Sequence, residues 1–292
     1  MSVFFCDSNC ELWYTKVDEL GIEVISMPYT VDGEERGYDM GRETDFKGFY
    51  DKIRKGSIPI TSALNSTNYL DIFRPFFEKG EDILYVTFSH KMSATFQYME
   101  TAVAELKAEF PDRKFISVDT KSISMGAGLI VYEAAKAFKS GKSIEAVADY
   151  TRELVNHTSV FFTVNDLMHL KRGGRLSGTA AIFGTLLGVK PILYISKEGS
   201  IVKYATAKGR KKALELIFDE AQKLDIDLDK PVSVITADLS PEELASVTER
   251  VKERFPFKGE LMVQSVGPVI GTHCGPGTIG LCFMHKKDKT QN

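Results

Sequence analysis

Cysteine, tryptophan and long apolar runs are all scarce in this sequence. Four cysteines among 292 residues are too few for the disulfide framework of a secreted domain. Cys6, Cys10, Cys274 and Cys282 also lack the repeated short spacing of a structural zinc site, so we expect reduced thiols and no metal ion. No window reaches the ~18 apolar residues of a membrane-spanning helix. Residues 1–13 lack the basic and apolar regions of a signal peptide, so a cytoplasmic location is expected.

Charge of either sign is not in large excess. The net charge is −3 and the isoelectric point is about 6.0. No basic surplus indicates binding to nucleic acid or to an anionic membrane, and we expect no integral membrane association. The apolar fraction of 43% and the charged fraction of 26% are typical of a globular protein. A chain of this length forms one large domain or two of ordinary size.

Nucleotide-binding motifs are missing as well. The sequence has no GxxxxGK[ST] loop, and "SMGAGLI" lacks the third glycine of a dinucleotide fingerprint. Phosphoryl transfer needs a nucleotide and a magnesium site. We therefore expect no cofactor and no kinase activity of the chain's own.

What is present is a regular alternation of strand and helix patterns in the first half. Residues 3–7, 23–31, 83–89 and 114–120 are short runs rich in β-branched and aromatic residues, and amphipathic stretches separate them. This alternation is typical of parallel strands with helices on both faces. It predicts an α/β domain with a doubly wound, mostly parallel sheet over residues 1–157.

The second half has a different rhythm. Strand patterns at 189–196 and 200–208 are joined by the turn "KEGS", which predicts a hairpin. Residues 259–270 and 278–285 are further candidate strands, and helix patterns lie between the strands. Hairpins and helices together predict an α+β domain with a mixed, partly antiparallel sheet over residues 158–292.

Two hydroxyl-rich stretches follow strands and precede helices. "FSHKMSATFQ" offers Ser93, and "IPITSALNST" offers Thr61, Ser62 and Asn65. One interpretation is that Ser93 and Ser66 only cap helices. The other is an anion site, because helix N-termini hold anions and ligands of open α/β sheets lie beyond the carboxyl ends of the strands.

A third stretch, "VGPVIGTHCGPGTIG" at residues 266–280, has five glycines, two prolines and His273. Glycine lets backbone approach a ligand closely and allows positive φ, so this loop is a candidate to hold His273 at a site; a turn with a capped histidine is the alternative. An enzyme alternative is a hydrolase with Ser93 or Ser62 as nucleophile and His273 as base. It needs an orienting carboxylate, and no GxSxG motif is present.

Seven motifs occur in the order typical of the DegV family, and the chain resembles that family over residues 3–285. They are "FFCDSNCEL" with "LGIEVISMPYTVDGEERGYDM", "ITSALN", "FSHKMSATFQ", "VDTKSISMGAGLIV", "LKRGGRLSG", "LLGVKPIL" and "GPVIGTHCGPGTIG". The resemblance implies a two-domain α/β protein that buries one long-chain fatty acid, with the carboxylate at the domain interface and the tail in an apolar tunnel. Characterised relatives present that carboxylate to a separate ATP-dependent fatty acid kinase subunit, for acyl-phosphate formation in phospholipid metabolism.

The same resemblance implies roles for individual residues. Thr61, Ser62, Ser93 and His273 would contact the carboxylate. Two positions depart from the family pattern, because Leu64 and Asn65 replace a proline and a serine, and Ala94 replaces a glycine. Asn65 still offers an amide donor, so it is retained as a candidate contact.

Two further stretches gain meaning from the resemblance. "GTAAIFGTLLG" (178–188) is apolar nearly all round, which is typical of buried core; as a tunnel wall it would offer Phe183, Leu186 and Leu187. "KRGGRLSG" (171–178) is either a solvated basic loop or a partner-binding loop, in which Arg172 and Arg175 would contact the kinase subunit. The fatty-acid carrier is the favoured function, and the alternatives are the hydrolase and a binding protein for another carboxylate.

Overall fold

Strands and helices alternate through the first half of the chain, as the sequence predicts. A computed structural model describes residues 1–176, 188–287 and 289. The elements of this half are β1 (Ser2–Asp7), a 3-10 helix (Ser8–Cys10), α1 (Tyr14–Leu20), β2 (Glu23–Ile25), β3 (Pro28–Val31), β4 (Glu34–Gly37), α2 (Phe46–Arg54), β5 (Ile60–Thr61), α3 (Ser66–Glu78), β6 (Asp82–Thr87), α4 (Thr95–Glu109), β7 (Phe115–Asp119), α5 (Met125–Lys139) and α6 (Ile144–Asn156).

The second half begins with a strand directly after α6. Its elements are β8 (Thr158–Thr163), α7 (Met168–Arg172), β9 (Val189–Ile195), β10 (Ile201–Lys208), α8 (Gly209–Lys223), β11 (Val232–Thr236), α9 (Pro241–Arg254), β12 (Leu261–Ser265), α10 (Pro268–Cys274) and β13 (Ile279–Met284).

The main sheet of the first half is parallel. Its strand order is β2-β1-β6-β7, and all three pairings are parallel. Two helix pairs, α3 with α4 and α5 with α6, pack together, and α3 and α6 also contact β6. The centre of the sheet is aromatic: Phe5 meets Phe73 edge to face, with 5.4 Å between ring centroids, and Phe73 meets Phe115 at 5.0 Å. A parallel sheet must be covered on its faces, and this one confirms the predicted α/β class.

A small antiparallel sheet, absent from the sequence prediction, lies beside the main one. Its order is β4-β3-β5. The single strand predicted over residues 23–31 is wrong, because the chain leaves the main sheet after Ile25 and enters the small sheet at Pro28. The break is fixed by side chains: Ser26 Oγ donates to the Tyr38 carbonyl at 2.9 Å, and the Met27 N–H donates to Ser8 Oγ at 2.9 Å. Short-range periodicity cannot detect a strand that changes sheets.

The second half contains a mixed sheet of order β10-β9-β8-β13-β11-β12. The predicted β9–β10 hairpin is confirmed as an antiparallel pair, and the β11–β12 pair is parallel. The candidate strand over 259–270 is correct only as far as Ser265. Pro268 then begins α10, because a proline suits the first turn of a helix, where its missing N–H is not needed.

The two halves are joined through α5. This helix packs on β1 of the parallel sheet and on β8, β11 and β13 of the mixed sheet. α5 can approach the 3-10 helix closely because it has a glycine at the contact. A Cβ on Gly128 would lie 2.5 Å from the Cys10 carbonyl oxygen. One buried cluster therefore runs through both halves, and the predicted division into two domains at residue 157 stays a prediction. Within the described ranges, no helix has the length and apolar composition needed to cross a bilayer.

Candidate ligand-binding site

A cavity lies between the two sheets, and its walls come from both halves of the chain. The cavity is open to solvent at its mouth, and concave sites with mostly apolar walls and a few polar groups are typical of small-molecule binding. Most of the wall is apolar, contributed by Met27, Ala63, Phe88, Met92, Ile123, Val160, Phe162, Leu170, Ile195, Ile201, Ile235, Val266, Val269, Ile270 and Cys274. The polar lining residues are Asn9, Thr61, Ser62, Ser93, Ser124, Arg175, His273 and Thr278.

Four of the five predicted head-group residues line this cavity. Thr61 ends β5 and Ser62 follows it, Ser93 precedes α4, and His273 lies in the last turn of α10. The Thr61 hydroxyl and His273 Nε2 are hydrogen-bonded at 2.9 Å, although 212 positions separate them along the chain. The predicted glycine-rich loop is instead a short helix followed by a turn, in which Gly275 and Gly277 have φ of 71° and 81°.

The Ser93 hydroxyl lies just outside its helix. α4 begins at Thr95 and its cap position is Ala94, one residue after Ser93. Ser93 Oγ accepts the Thr95 N–H at 3.2 Å, so its own proton can be donated towards the cavity. The next hydroxyl, on Thr95, donates to the Leu64 carbonyl at 3.2 Å and is hydrogen-bonded to the Tyr69 hydroxyl at 2.8 Å. Thr95, which the sequence analysis missed, therefore holds the Ser93 loop against the Thr61 loop.

Asn65 has a structural role as a helix cap, and its predicted contact with the carboxylate stays a prediction. It caps α3: its Oδ1 accepts the Asn68 N–H at 3.0 Å, and Asn68 Oδ1 accepts the Asn65 N–H at 3.0 Å. This reciprocal arrangement is a capping box. The side chain is exposed and is not part of the cavity wall. The capping position also belongs to Asn65 and not to Ser66, because Ser66 is the first residue of the helix.

His273 is held as a neutral imidazole. Burial, reinforced by the charge of Arg175, lowers the pKa of His273 from 6.5 to about 4. Its Nδ1 is buried without a hydrogen-bond partner in the described part of the chain, against Gly173, where a Cβ would lie 2.1 Å away. A buried N–H left unpaired costs more than an unpaired lone pair, so the proton belongs on Nε2. Nε2–H then donates to Thr61, and the Thr61 proton is free for a ligand.

The two predicted partner-binding arginines lie in different places. Arg175 is half-buried and lines the cavity; its Nε donates to the Met92 carbonyl at 3.0 Å, and its Nη1 donates to the Gly173 carbonyl. Arg172 is exposed and bonds His169 Nδ1 at 3.0 Å. Arg175 is the one cationic side chain in the wall formed by the described residues. The predicted tunnel residues Phe183, Leu186 and Leu187 lie outside the described residues.

Two buried carboxyl groups near the cavity were also missed. Burial raises the pKa of Asp7 to about 7, although Asp7 accepts the Phe88 N–H at 3.0 Å and the Tyr85 hydroxyl at 3.1 Å. Burial likewise raises the pKa of Glu11 to about 8. Their motif, "DSNCE", was visible in the sequence, but nothing in it signals that acidic residues will be buried. Asp7 anchors the start of the loop that leads to Ser93.

Glu11 connects three segments of the chain that lie near the cavity. Its Oε1 accepts the Gly267 N–H at 2.5 Å, at the start of α10. Its Oε2 is hydrogen-bonded to Ser124 Oγ, at the start of α5. Glu11 itself closes the 3-10 helix in the left-handed region, with φ of 54°. The residue therefore helps to position the helix that carries His273.

Comparison with known sequences places the chain in a family. A model described as "Uncharacterised protein, DegV family" matches residues 3–286. The chain is a member of the DegV family. Among its DegV relatives, the DegV domain-containing protein CPE0026 of Clostridium perfringens is 36% identical over 282 residues, or 97% of each chain. YteA of Lactococcus lactis is 31% identical over 286 residues, again 97% of each chain. The resemblance expected from the motifs is confirmed.

Solved DegV structures share the fold. A DegV family protein from Thermus thermophilus, whose structure is described as showing fatty acid binding, is 29% identical with a TM-score of 0.85, covering 97% of this chain and 99% of that one. DegV of Bacillus subtilis, described as a fatty acid binding protein, is 27% identical with a TM-score of 0.81, covering 97% and 99%. These DegV proteins match the parallel and the mixed sheet of this chain together.

The Glu11 carboxyl predicts a pH dependence of stability. Its pKa is about 8 in the folded protein and roughly 4.3 when unfolded. The folded state therefore binds more protons, and stability is lost as pH rises through this interval. Above pH 6.5, where His273 no longer titrates, we expect Glu11 to lower wild-type stability by about 1 kcal/mol per pH unit up to pH 8, in addition to a smaller loss from Asp7, whose folded pKa is about 7. Glu11→Gln keeps both hydrogen bonds without a proton to lose, so in urea unfolding it should remove the Glu11 part of this slope and leave the Asp7 part.

Glu133→Gln is the matched control for this measurement. Glu133 is also a buried glutamate, but Lys230 and Lys136 hold its pKa below the ordinary value despite burial. Its titration therefore lies below the window tested, and its replacement should change stability without changing the slope. Equal slopes for the wild type and Glu11→Gln would show that Glu11 is already ionised.

Proposed function

We propose that this chain is a cytoplasmic carrier that binds one long-chain fatty acid, with the carboxylate among Thr61, Ser62, Ser93, Arg175 and His273. The observation that carries the proposal is the composition of the described cavity wall: hydroxyl groups, an imidazole, a guanidinium and an amide lie among mostly apolar side chains. A ligand that fits such a wall has a small anionic head and a long apolar body. The fatty acid binding described for the related structures supports this ligand class.

The charges of the polar side chains in the cavity wall suit a carboxylate ligand. His273 is neutral at physiological pH, so Arg175 supplies the positive charge, and the freed protons of Thr61 and Ser93 supply neutral donors. Hydrogen bonds to a charged acceptor contribute about 1.5–3 kcal/mol each. The acyl chain contributes roughly 0.8 kcal/mol per buried methylene. Most of the affinity for the fatty acid then comes from its acyl chain, and the polar side chains of the wall fix the orientation of its head group.

A hydrolase is disfavoured by the bonding of His273. A nucleophilic serine needs the imidazole as its base, and the imidazole needs a carboxylate on its other nitrogen. Here Nε2 is bonded to Thr61, and Nδ1 faces Gly173 with no acceptor among the described residues. This arrangement orients donors towards an anion and does not activate a nucleophile. We therefore propose a non-catalytic role.

The carrier would present its carboxylate to a separate ATP-dependent fatty acid kinase subunit. Two features support this part of the proposal. The residues proposed to bind the carboxylate are near the surface, because Ser62 is exposed while Thr61 and Ser93 are partly buried. Lys171 and Arg172, at the end of α7 and shortly before Arg175, are exposed. Arginine is suited to bidentate contacts with a partner's carboxylates or with phosphate.

The ligand itself provides the first test. Purified protein, denatured and extracted with organic solvent, should release a fatty acid at about one molecule per chain, identified by mass spectrometry. Protein that has been stripped of lipid should regain a fatty acid when a mixed set is offered. A chain that emerges empty and stays empty with every acid offered would contradict the carrier function.

The hydroxyl side chains of Thr61 and Ser93 provide the second test. In Thr61→Ala with Ser93→Ala, two donors to the carboxylate are lost, so affinity for the fatty acid should fall by at least tenfold while thermal stability is kept. Thr101→Ala is the control, since the Thr101 hydroxyl donates to the Gln97 carbonyl at 2.9 Å on the exposed face of α4. Affinity in the double variant equal to that of the control would remove both residues from the site.

The arginines provide the third test. Arg175→Ala should weaken fatty acid binding, because its guanidinium lines the cavity and is the cation opposite the carboxylate. Arg172→Ala should leave binding unchanged and lower acyl-phosphate formation when a kinase subunit and ATP are titrated, by about thirtyfold in partner affinity if Arg172 is central to the interface. Normal acyl-phosphate formation with Arg172→Ala at every kinase concentration would mean that Arg172 does not contact the kinase subunit.

A further inference from the structure

A second polar position lies inside the cavity, at Asn9. Its side chain lines the cavity and is 5% exposed. Both backbone groups of Asn9 are engaged: its N–H donates to Asp7 Oδ1 at 3.1 Å, and its carbonyl accepts the Ser124 N–H at 2.8 Å. Its side-chain Oδ1 has no hydrogen-bond partner within the described ranges. A buried amide in this state is costly.

The position of Asn9 relative to the head-group residues follows from α10. Asn9 is bonded to Ser124, Ser124 to Glu11, and Glu11 to the Gly267 N–H at the start of that helix. His273 follows Gly267 by six residues, a rise of about 9 Å at 1.5 Å per residue. Asn9 is therefore connected to the Gly267 end of α10, and His273 lies at the other end of the same helix.

The neighbouring wall does not satisfy this amide. Met27, Ile123 and Val266 line the cavity with Asn9 and offer no donor side chain. The Ser124 hydroxyl is bonded to Glu11. A methylene of an unsubstituted fatty acid would leave Oδ1 unpaired, whereas a hydroxyl on the chain donates to it. A hydroxyl also accepts from an amide N–H, so it pairs with Asn9 whichever way the amide is turned.

We propose that this cavity selects a fatty acid with a hydroxyl group near the middle of its chain, bound by the Asn9 amide. The inference rests on the proposed fatty-acid function and names the ligand class more narrowly. A leucine at this position would serve an unsubstituted chain better, since it would fill similar space without a polar group to satisfy. Asn9 makes the middle of the cavity specific for an oxygen-bearing chain.

The test compares two acids on lipid-free protein. Octadecanoic acid and its derivative with a hydroxyl at the tenth carbon are titrated against the wild type, Asn9→Leu and Ile123→Val. The wild type should bind the hydroxy acid at least as tightly as the unsubstituted acid. Asn9→Leu should weaken the hydroxy acid about tenfold, which is 1.4 kcal/mol, without weakening octadecanoic acid. Ile123→Val changes the shape of the same wall and should leave the ratio of the two affinities unchanged.

Each outcome separates the two proposals. If the wild type binds neither acid, the fatty-acid function fails and this inference fails with it. If the wild type binds octadecanoic acid and disfavours the hydroxy acid as strongly as Asn9→Leu does, only this inference fails, and a water molecule serves the amide. Derivatives with the hydroxyl at the second carbon are the positional control: binding as tight as for the tenth-carbon derivative would also overturn the assignment. If Asn9→Leu does not fold, the ratio of the wild-type affinities for the two acids still tests the proposal.

Discussion

The hydrogen bond between the Glu11 carboxyl and the Gly267 N–H is the contact on which the site depends. It joins the end of the first strand's loop to the first turn of α10, and through Ser124 it also fixes the start of α5. These segments are far apart in sequence and supply part of the cavity wall, the helix that joins the halves and the imidazole. The bond is made by a carboxyl whose burial raises its pKa to about 8, so at neutral pH it acts mainly as a neutral group. A fully ionised carboxylate would be costly at this depth.

A neutral Glu11 carboxyl and a neutral imidazole make the electrostatics of the cavity simple. With His273 uncharged, Arg175 dominates the field at the head-group end. An anionic head group is therefore drawn to the end of the cavity where the hydroxyl groups also lie. The rest of the described wall is mostly apolar, and its polar residues are Asn9, Ser124 and Thr278. Such a cavity distinguishes the two ends of a ligand by charge.

The sequence predicted the parts of this fold that depend on short-range pattern. The alternation of strands and helices, the β9–β10 hairpin and the hydroxyl groups at Thr61, Ser62 and Ser93 were all visible as local signals. Three features were not, each for a physical reason. The strand over 23–31 was divided by side-chain hydrogen bonds from residues distant in sequence. The capping of α3 by Asn65 could not be predicted, because capping and ligand binding require the same kind of side chain. The helix over 268–274 could not be predicted, because its glycines are typical of a loop. They are needed for close packing: a Cβ on Gly271 would lie 2.6 Å from the Tyr50 hydroxyl.

The small antiparallel sheet has a consequence for local opening. Thr61 is carried by β5, which pairs with β3 through only two residue pairs, Tyr29 with Thr61 and Thr30 with Ile60. Ile60 and Ile58 remain more than half exposed at this edge, so little apolar burial holds the strand in place. Local opening of such a segment costs far less free energy than unfolding either large sheet. Opening of this edge would expose the Thr61 side of the cavity without unfolding either large sheet.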